Sequence, residues 1–204
     1  MTEAMGSSEV VPQIVALADQ LEFADENQAS IAAYTRAIDL AASPAVGSDE
    51  RAATARIEAL ESRGWMYARV GDMTRAGADF QAALDAAARA KRIDLATTSQ
   101  LGLGRALVAL GEHDRAIRIL PPALATYLKN SDRPSARAGS AQFALAQALW
   151  AKGNPPAAVT AARDAETITA AALERVKGSG SGRKVVHYFA DQLAEIERWR
   201  DARR

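Results

Sequence analysis

Small and large apolar residues recur at fixed distances from three short polar turns in the chain. Each turn has a glycine that follows one helical run and precedes another, as expected for a residue that ends the first helix of a hairpin. We call these glycines the turn anchors, and they are Gly71, Gly111 and Gly153. The pattern therefore predicts a series of paired helices.

The same residue types occupy the same positions around each anchor. A small residue lies seven positions before the anchor and a large apolar residue four before: Gly64 and Tyr67, Gly104 and Leu107, Ala146 and Leu149. Alanines lie five and twelve positions after the anchor, with a further apolar residue nine after: Ala76, Phe80 and Ala83; Ala116, Leu120 and Ala123; Ala158, Ala162 and Ala165. Because antiparallel helices approach closely only where one of them has a small side chain, these positions are the predicted contact points.

A weaker copy of the pattern precedes the first glycine, with Asp25 as its anchor. The matching positions around Asp25 carry Ala18, Leu21, Ser30, Tyr34 and Ala37. Successive anchors are then 46, 40 and 42 residues apart. The pattern predicts helices near residues 9–24, 27–42, 49–70, 73–91, 95–110, 113–129, 134–152, 155–175 and 184–202.

Local signals support several of these helix starts. Ser48 is the predicted cap of the third helix, with acidic residues in the first turn, and Asn154 is the predicted cap of a helix that opens with two prolines. In the sixth helix, Pro121 and Pro122 each remove a backbone donor from the helix interior. We therefore expect that helix to kink or restart at 119–122.

The order of small, large, glycine, alanine, apolar and alanine positions resembles the tetratricopeptide repeat (TPR), and the long spacing is similar to the kinesin-light-chain form of that repeat. The resemblance implies an all-α fold: a right-handed α-solenoid of about four TPR-type helical hairpins plus a C-terminal capping helix. The expected segments are a disordered N-terminus at 1–8, repeats at about 9–44, 48–92, 94–130 and 133–176, a Gly/Ser linker at 177–183 and the capping helix at 184–204.

The capping helix is expected from a stripe of apolar residues near the end of the chain. The stripe follows three- and four-residue steps through Val186, Phe189, Leu193, Ile196 and Trp199. A solenoid needs such a helix because its last repeat otherwise leaves an apolar face in water.

Composition and charge narrow the possible functions. Alanine is the most frequent residue and aromatic residues make up 5% of the chain, which favours helix over sheet. The 25 basic residues equal the 25 acidic ones, so no excess charge would attract nucleic acid or an anionic membrane. There is no cysteine, no signal-like N-terminus and no run long enough to span a bilayer. We expect a soluble, cytoplasmic protein.

No group of residues has the spacing of a catalytic or metal site. His113 and His187 are the only histidines and lie far apart in the sequence. The segment 178–184 lacks the preceding strand and the spacing of a phosphate-binding loop, so a linker is the better interpretation. The acidic pairs lie on polar helix faces. We therefore expect no catalytic residues, no metal and no cofactor, and hence a protein that is not an enzyme.

The first helix of each hairpin lines the concave side of a TPR solenoid, so the resemblance implies a partner-binding groove there. The predicted groove residues are Trp65, Arg69, Arg105, Gln147 and Trp150. Tryptophan and arginine are enriched among binding hot spots. An equally weighted alternative is that both tryptophans only fill space between repeats. The residues at the TPR positions that capture a C-terminal carboxylate do not match, which disfavours recognition of chaperone tails.

The leading hypothesis is therefore a non-catalytic scaffold or adaptor that binds another protein, as a peptide or a helix, in this groove. Two alternatives stay open. Segments 143–150 and 193–199 resemble the TPR tails of bacterial serine/threonine kinases, which implies a sensory or docking part of a signalling protein. The chain could instead be a regulator that self-associates, as a homodimer, through its terminal helix.

Overall fold

The computed structural model describes residues 2–43, 45–46, 49–130, 135–179 and 183–203. These residues form helices and turns, without a strand. The helices are α1 (Thr2–Phe23), α2 (Asn27–Ala41), α3 (Glu50–Arg69), α4 (Met73–Arg89), α5 (Ile93–Ala109), α6 (His113–Asn130), α7 (Ala136–Ala151), α8 (Pro155–Gly178) and α9 (Arg183–Asp201). In the described segments, no helix combines the length and the hydropathy that a membrane-spanning segment requires.

The chain divides into two compact units, residues 1–102 and 103–204, and the boundary falls within α5. In the first unit α1 packs on α2 and α3, α2 packs on α3, and α3 packs on α4. In the second unit α6 packs on α7, α7 on α8, and α9 on α8 and the edge of α7. In each of these pairs the two helices are one or two places apart in the chain. We call α1, α3, α5 and α7 the first helices and α2, α4, α6 and α8 the second helices.

The turns between first and second helices share one backbone conformation. Gly71, Gly111 and Gly153 have φ values of 85°, 80° and 74°, and Asp25 has a φ of 69°. This left-handed conformation ends the first helix and satisfies two of its last carbonyl groups, a role that glycine fills at least cost. At Gly71, for example, the amide of Asp72 donates to the carbonyl of Tyr67 at 2.9 Å. Asp25 therefore occupies the same structural position as the three glycines, and the first repeat is confirmed.

The small residues before the anchors lie where the paired helices are in contact. A Cβ atom added to Gly64 would lie 2.9 Å from Cε1 of Phe80 on α4, and one added to Gly104 would lie 2.3 Å from Cδ2 of Leu120 on α6. A Cβ atom added to Gly102 on α5 would lie 2.4 Å from the same Cε1 atom of Phe80. A side chain at any of these positions would force the helices apart, since buried rings and branched chains have little room to move.

The residues after the anchors form the buried face of each second helix. The residues five, nine and twelve positions after each anchor have exposed fractions of at most 2%: Ser30, Tyr34 and Ala37; Ala76, Phe80 and Ala83; Ala116, Leu120 and Ala123; Ala158, Ala162 and Ala165. Ser30 replaces the usual alanine, and its hydroxyl donates to the carbonyl of Ala18 at 3.0 Å. The repeat register predicted from the sequence is thereby confirmed for all four hairpins.

Eight helices begin and end within three residues of the predicted bounds, but α1 does not. Residues 2–8 continue α1 as helix, so the disordered segment expected at 1–8 is wrong there, and residue 1 lies outside the described residues. The segment 2–8 includes three good helix formers, Glu3, Ala4 and Met5, which favour the longer helix although Gly6 does not.

Two further expectations fall partly on segments that are not described. The cap of α3 is Asp49, whose carboxylate accepts from the amide of Ala52 at 2.9 Å, while Ser48 lies outside the described residues. Within the predicted linker at 177–183, residues 177 and 178 are the last residues of α8 and 179 follows as a turn. Residues 180–182 lie outside the described residues. The predicted Asn154 cap is confirmed by its acceptance of the Ala157 amide at 3.3 Å.

The predicted restart of α6 at 119–122 is wrong, because α6 runs as one helix through Pro121 and Pro122, while the kink stays a prediction. Both prolines are exposed, so water can satisfy the two carbonyl groups that lack an amide donor. The neighbouring Leu120, Ala123 and Leu124 are buried and hold the helix on both sides of the prolines. Packing therefore outweighs the cost of the two missing hydrogen bonds.

The capping helix α9 packs its apolar stripe on the last hairpin. Phe189 is 9% exposed and contacts a cluster that includes Ala172 and Leu173 of α8. Ile196 is 2% exposed. An ion pair between Arg200 and Glu166 joins the C-terminal end of α9 to the middle of α8. α9 thus covers the apolar face of α8, as the stripe predicted.

Candidate partner-binding surface

The first helices are largely buried, yet one position recurs at their accessible edge. Six residues before each glycine anchor stand Trp65, Arg105 and Gln147, and each is half-buried. The residues on either side of each one are fully within the core: Gly64 and Met66, Gly104 and Ala106, Ala146 and Ala148. Part of each of these side chains is therefore exposed between two buried neighbours, where it can contact another molecule.

In the first unit, Trp65 belongs partly to the core. Its ring meets Phe80 edge to face, with centroids 5.2 Å apart and an angle of 69° between the planes. Such a contact stabilises the fold by about 0.5–1.5 kcal/mol beyond the contribution of the area that the rings bury. Trp65 therefore has one edge in the hairpin core and one at the surface, which combines the two interpretations of the sequence.

Arg69, in the last turn of α3, faces the turn between α1 and α2. Its guanidinium lies 3.8 Å from Glu22 and 3.6 Å from Asp25, and it donates to the side chain of Asn27. Its side chain is 37% exposed, so this pairing stabilises the fold only weakly. The arrangement places a cation beside two carboxylates at the edge of the first unit.

Asp19 occupies the equivalent accessible position on α1 and is tied to the second helix of its own hairpin. The hydroxyl of buried Tyr34 donates to Asp19 at 2.5 Å and to Glu22 at 3.2 Å. Burial, followed by the hydrogen bond to Asp19, raises the pKa of the Tyr34 hydroxyl. Tyr34 therefore remains a neutral hydrogen-bond donor that fixes two carboxylates on the accessible side of α1.

A further acidic residue, Glu58, lies on α3 about two turns before Trp65 and three turns before Arg69. Burial raises the pKa of its carboxyl, while the nearby Arg92 guanidinium opposes that rise. Glu58 lines an open cavity of about 350 Å³ together with Pro12, Glu50 and Arg51. No histidine lines this cavity, and no group of three His, Asp or Glu residues in the described ranges could hold a metal ion.

In the second unit, Trp150 packs against the capping helix. Its ring and that of Trp199 on α9 meet at 79° with centroids 5.9 Å apart, and Phe143 meets Trp199 at 5.6 Å. The guanidinium carbon of Arg203 lies 4.3 Å from the centroid of Trp199 and 5.3 Å from that of Trp150. The space that the sequence assigned to a groove at Trp150 is thus partly filled by α9 and Arg203.

The predicted groove residues are therefore placed in two groups. Trp65 and Arg69 lie on α3 of the first unit, and Gln147 and Trp150 lie on α7 of the second. Arg105 lies on the part of α5 that belongs to the second unit. Each group is at the accessible edge of its own first helix.

Sequence reasoning missed the strongest polar contact of the first unit. Arg63 on α3 donates two hydrogen bonds to Asp79 on α4, at 2.8 and 2.7 Å, and a third to the hydroxyl of Thr35 on α2 at 2.8 Å. Asp79 is 6% exposed. Asp79 lies eight residues after its anchor, beside a predicted core position. A charged residue at that place was the signal for a buried ion pair, since buried aspartates are almost always paired. The contact positions α3 and is not itself at the accessible edge.

Comparison with models of protein families, and with curated proteins by sequence, gives no match. Solved structures, in contrast, share the fold. The nearly identical TPR-like repeats of a kinesin light chain from Podosopora anserina superpose with a TM-score of 0.59 at 17% identity, over 94% of this chain and 96% of that chain. BtubC (BKLC) from P. vanneervenii superposes with a TM-score of 0.60 at 18% identity, over 96% and 82%.

A third solved structure, the apo form of RapI, has a TM-score of 0.65 at 15% identity. The match covers 86% of this chain and 60% of RapI, so this chain corresponds to a part of that protein. With the helices, turns and buried positions described above, these similarities show that the fold is an all-α repeat solenoid of the TPR type. The resemblance noted in the sequence is confirmed at the level of the fold.

Proposed function

We propose that this protein is a non-catalytic interaction scaffold that binds a peptide or helix of another protein along the accessible edges of its first helices. The observation that carries the proposal is the recurrent accessible position on these helices, held by Trp65, Arg105 and Gln147 between buried neighbours. A repeat fold whose only need is packing would favour small or aliphatic residues there. Instead, a large side chain stands at this half-buried position in three successive repeats.

Arg105 is the better test of the surface, because Trp65 also packs on Phe80 and its removal would disturb the core. Arg105→Glu reverses a charge at the accessible edge of α5 and leaves the buried Gly104 and Ala106 in place. A matched control is Arg118→Glu, which makes the same charge change at an exposed position on α6, a second helix.

The experiment begins with capture of partners by the immobilised wild-type protein and their identification, followed by measurement of the dissociation constant of each partner. We expect Arg105→Glu to weaken a specific partner about tenfold, the effect of removing one hot-spot contact. Gln147→Ala should weaken it less, and Arg118→Glu should leave it unchanged. Equal affinities for wild type and Arg105→Glu, at equal melting temperatures, would contradict the proposal.

A further inference from the structure

In the second unit, two tryptophan rings flank the positively charged end of an arginine side chain. Trp150 on α7 and Trp199 on α9 stand at 79° to each other, and we call this pair the aromatic corner. The guanidinium of Arg203 lies against both ring faces, 4.3 Å from the centroid of Trp199 and 5.3 Å from that of Trp150. Both distances are within the range in which a ring attracts a cation.

Arg203 is held there by the rings rather than by a carboxylate. Its Nη1 atom donates to the carbonyl of Trp199 at 3.1 Å, while its buried Nε atom has no hydrogen-bond partner among the described residues. Arg200, three residues earlier, pairs instead with Glu166 and Asp201. Arg200 thus forms an ion pair that joins α8 and α9, whereas the main contacts of the Arg203 guanidinium are with aromatic rings.

The position of Arg203 in the chain makes it replaceable. α9 ends at Asp201, and Arg203 follows in a turn closed by the hydrogen bond from its amide to the carbonyl of Arg200 at 3.1 Å. Opening one turn beyond the end of a helix has a small free-energy cost compared with opening the helix itself. The two tryptophan rings would remain in place, since Trp199 also meets Phe143, which is 8% exposed, with ring centroids 5.6 Å apart.

We propose that the aromatic corner is a binding site for an arginine side chain of a partner protein, and that Arg203 occupies it as an internal competitor. A flat guanidinium stacks on aromatic faces better than an ammonium group does, which favours arginine over lysine. The inference rests on the proposed scaffold function for the nature of the partner, a protein segment. It adds the side chain that such a segment presents beside α7 of the second unit.

The test uses the whole protein and the peptide acetyl-Gly-Arg-Gly-amide, with the citrulline peptide as its neutral isostere. Arg203→Gln removes the competitor, and Arg198→Gln is the matched control because Arg198 is exposed on the same helix. Binding is followed by the indole N–H resonances of Trp150 and Trp199, with Trp65 of the first unit as an internal reference.

We expect Arg203→Gln to bind the arginine peptide about three- to tenfold more tightly than wild type, the range that one displaced cation–aromatic contact supplies. Arg198→Gln should match wild type, and the citrulline peptide should shift neither indole. Arg203→Ala should repeat the gain, which guards against glutamine filling the corner.

Three results would overturn the inference: equal affinities for wild type and both Arg203 variants, equal binding of the citrulline peptide, or no shift of either indole in Arg203→Gln. Failure of the scaffold proposal has a different signature. In that case Arg105→Glu leaves partner affinity unchanged, whereas the response of the aromatic corner to the arginine peptide is unaffected.

Discussion

The charged side chains between helices differ widely in how far they are removed from water. The side chains of Arg63 and Asp79 are 16% and 9% exposed and share two hydrogen bonds, while the side chains of Lys152 and Asp114 are 46% and 66% exposed and lie 2.9 Å apart. The Asp79 hydrogen bond is the leading cause that raises the pKa of Arg63, so that side chain stays charged when buried. Loss of one partner would leave an uncompensated charge only at the first pair.

This contrast predicts unequal effects of the same substitution. Asp79→Ala should lower the free energy of unfolding by about 3 kcal/mol, because Arg63 remains largely buried with Thr35 as its other partner. Asp114→Ala should cost less than about 1 kcal/mol, since water replaces the exposed carboxylate. Urea unfolding of both variants measures the difference. Similar costs for the two variants would show that the buried pair contributes no more than a surface pair.

The helices of one hairpin meet through glycine on one side and a branched or aromatic side chain on the other. A Cβ atom added to Gly104 on α5 would lie 2.3 Å from Cδ2 and 2.5 Å from Cγ of Leu120, which is fully buried on α6. In contrast, a Cβ atom added to Gly178, the last residue of α8, meets no atom within 4 Å. The two glycines thus separate the effect of helix contact from that of helix propensity.

Gly104→Ala should therefore lower the free energy of unfolding by about 1–3 kcal/mol through overpacking. Gly178→Ala should be neutral or stabilising by up to about 1 kcal/mol, because alanine is the better helix former. Thermal unfolding of the two variants checks this. Leu120→Ala should cost less in the Gly104→Ala background than in wild type, and strictly additive effects would argue against direct contact between the two residues.

At the scale of helices, the sequence predicts what depends on positions close together in the chain. The anchors, the small residues before them and the buried residues after them follow from one repeated hairpin, so even Asp25 in place of glycine was recognised. The continuity of α6 through Pro121 and Pro122 was not predicted, because it depends on burial of Leu120 and Leu124 in the folded chain. Tertiary packing decides such cases against local preference.

The candidate surface was only partly predictable for the same reason. The spacing of Trp65, Arg105 and Gln147 from their anchors predicted an accessible position on three first helices, and the structure places all three side chains half-buried. The packing of Trp199 and Arg203 against the Trp150 ring was not predicted. It depends on where α9 meets α7, about fifty residues along the chain, and no local pattern specifies that contact.

Within each unit, the packed helix pairs are one or two places apart in the chain, which is the arrangement of a repeat protein. In such proteins a local destabilisation acts first on the repeats nearest to it, since stability is close to a sum of repeat and neighbour terms. Asp79→Ala and Gly104→Ala should therefore destabilise different helices, in addition to lowering the free energy of unfolding by different amounts.

Amide hydrogen exchange followed residue by residue resolves that difference. Asp79→Ala should speed exchange most in α3 and α4, where the pair lies, and least in α8 and α9. Gly104→Ala should act most strongly on α5 and α6, and so provides the reciprocal control. If either variant speeded exchange equally in every helix, the chain would unfold as a single cooperative unit, and the additive description of its repeats would not apply.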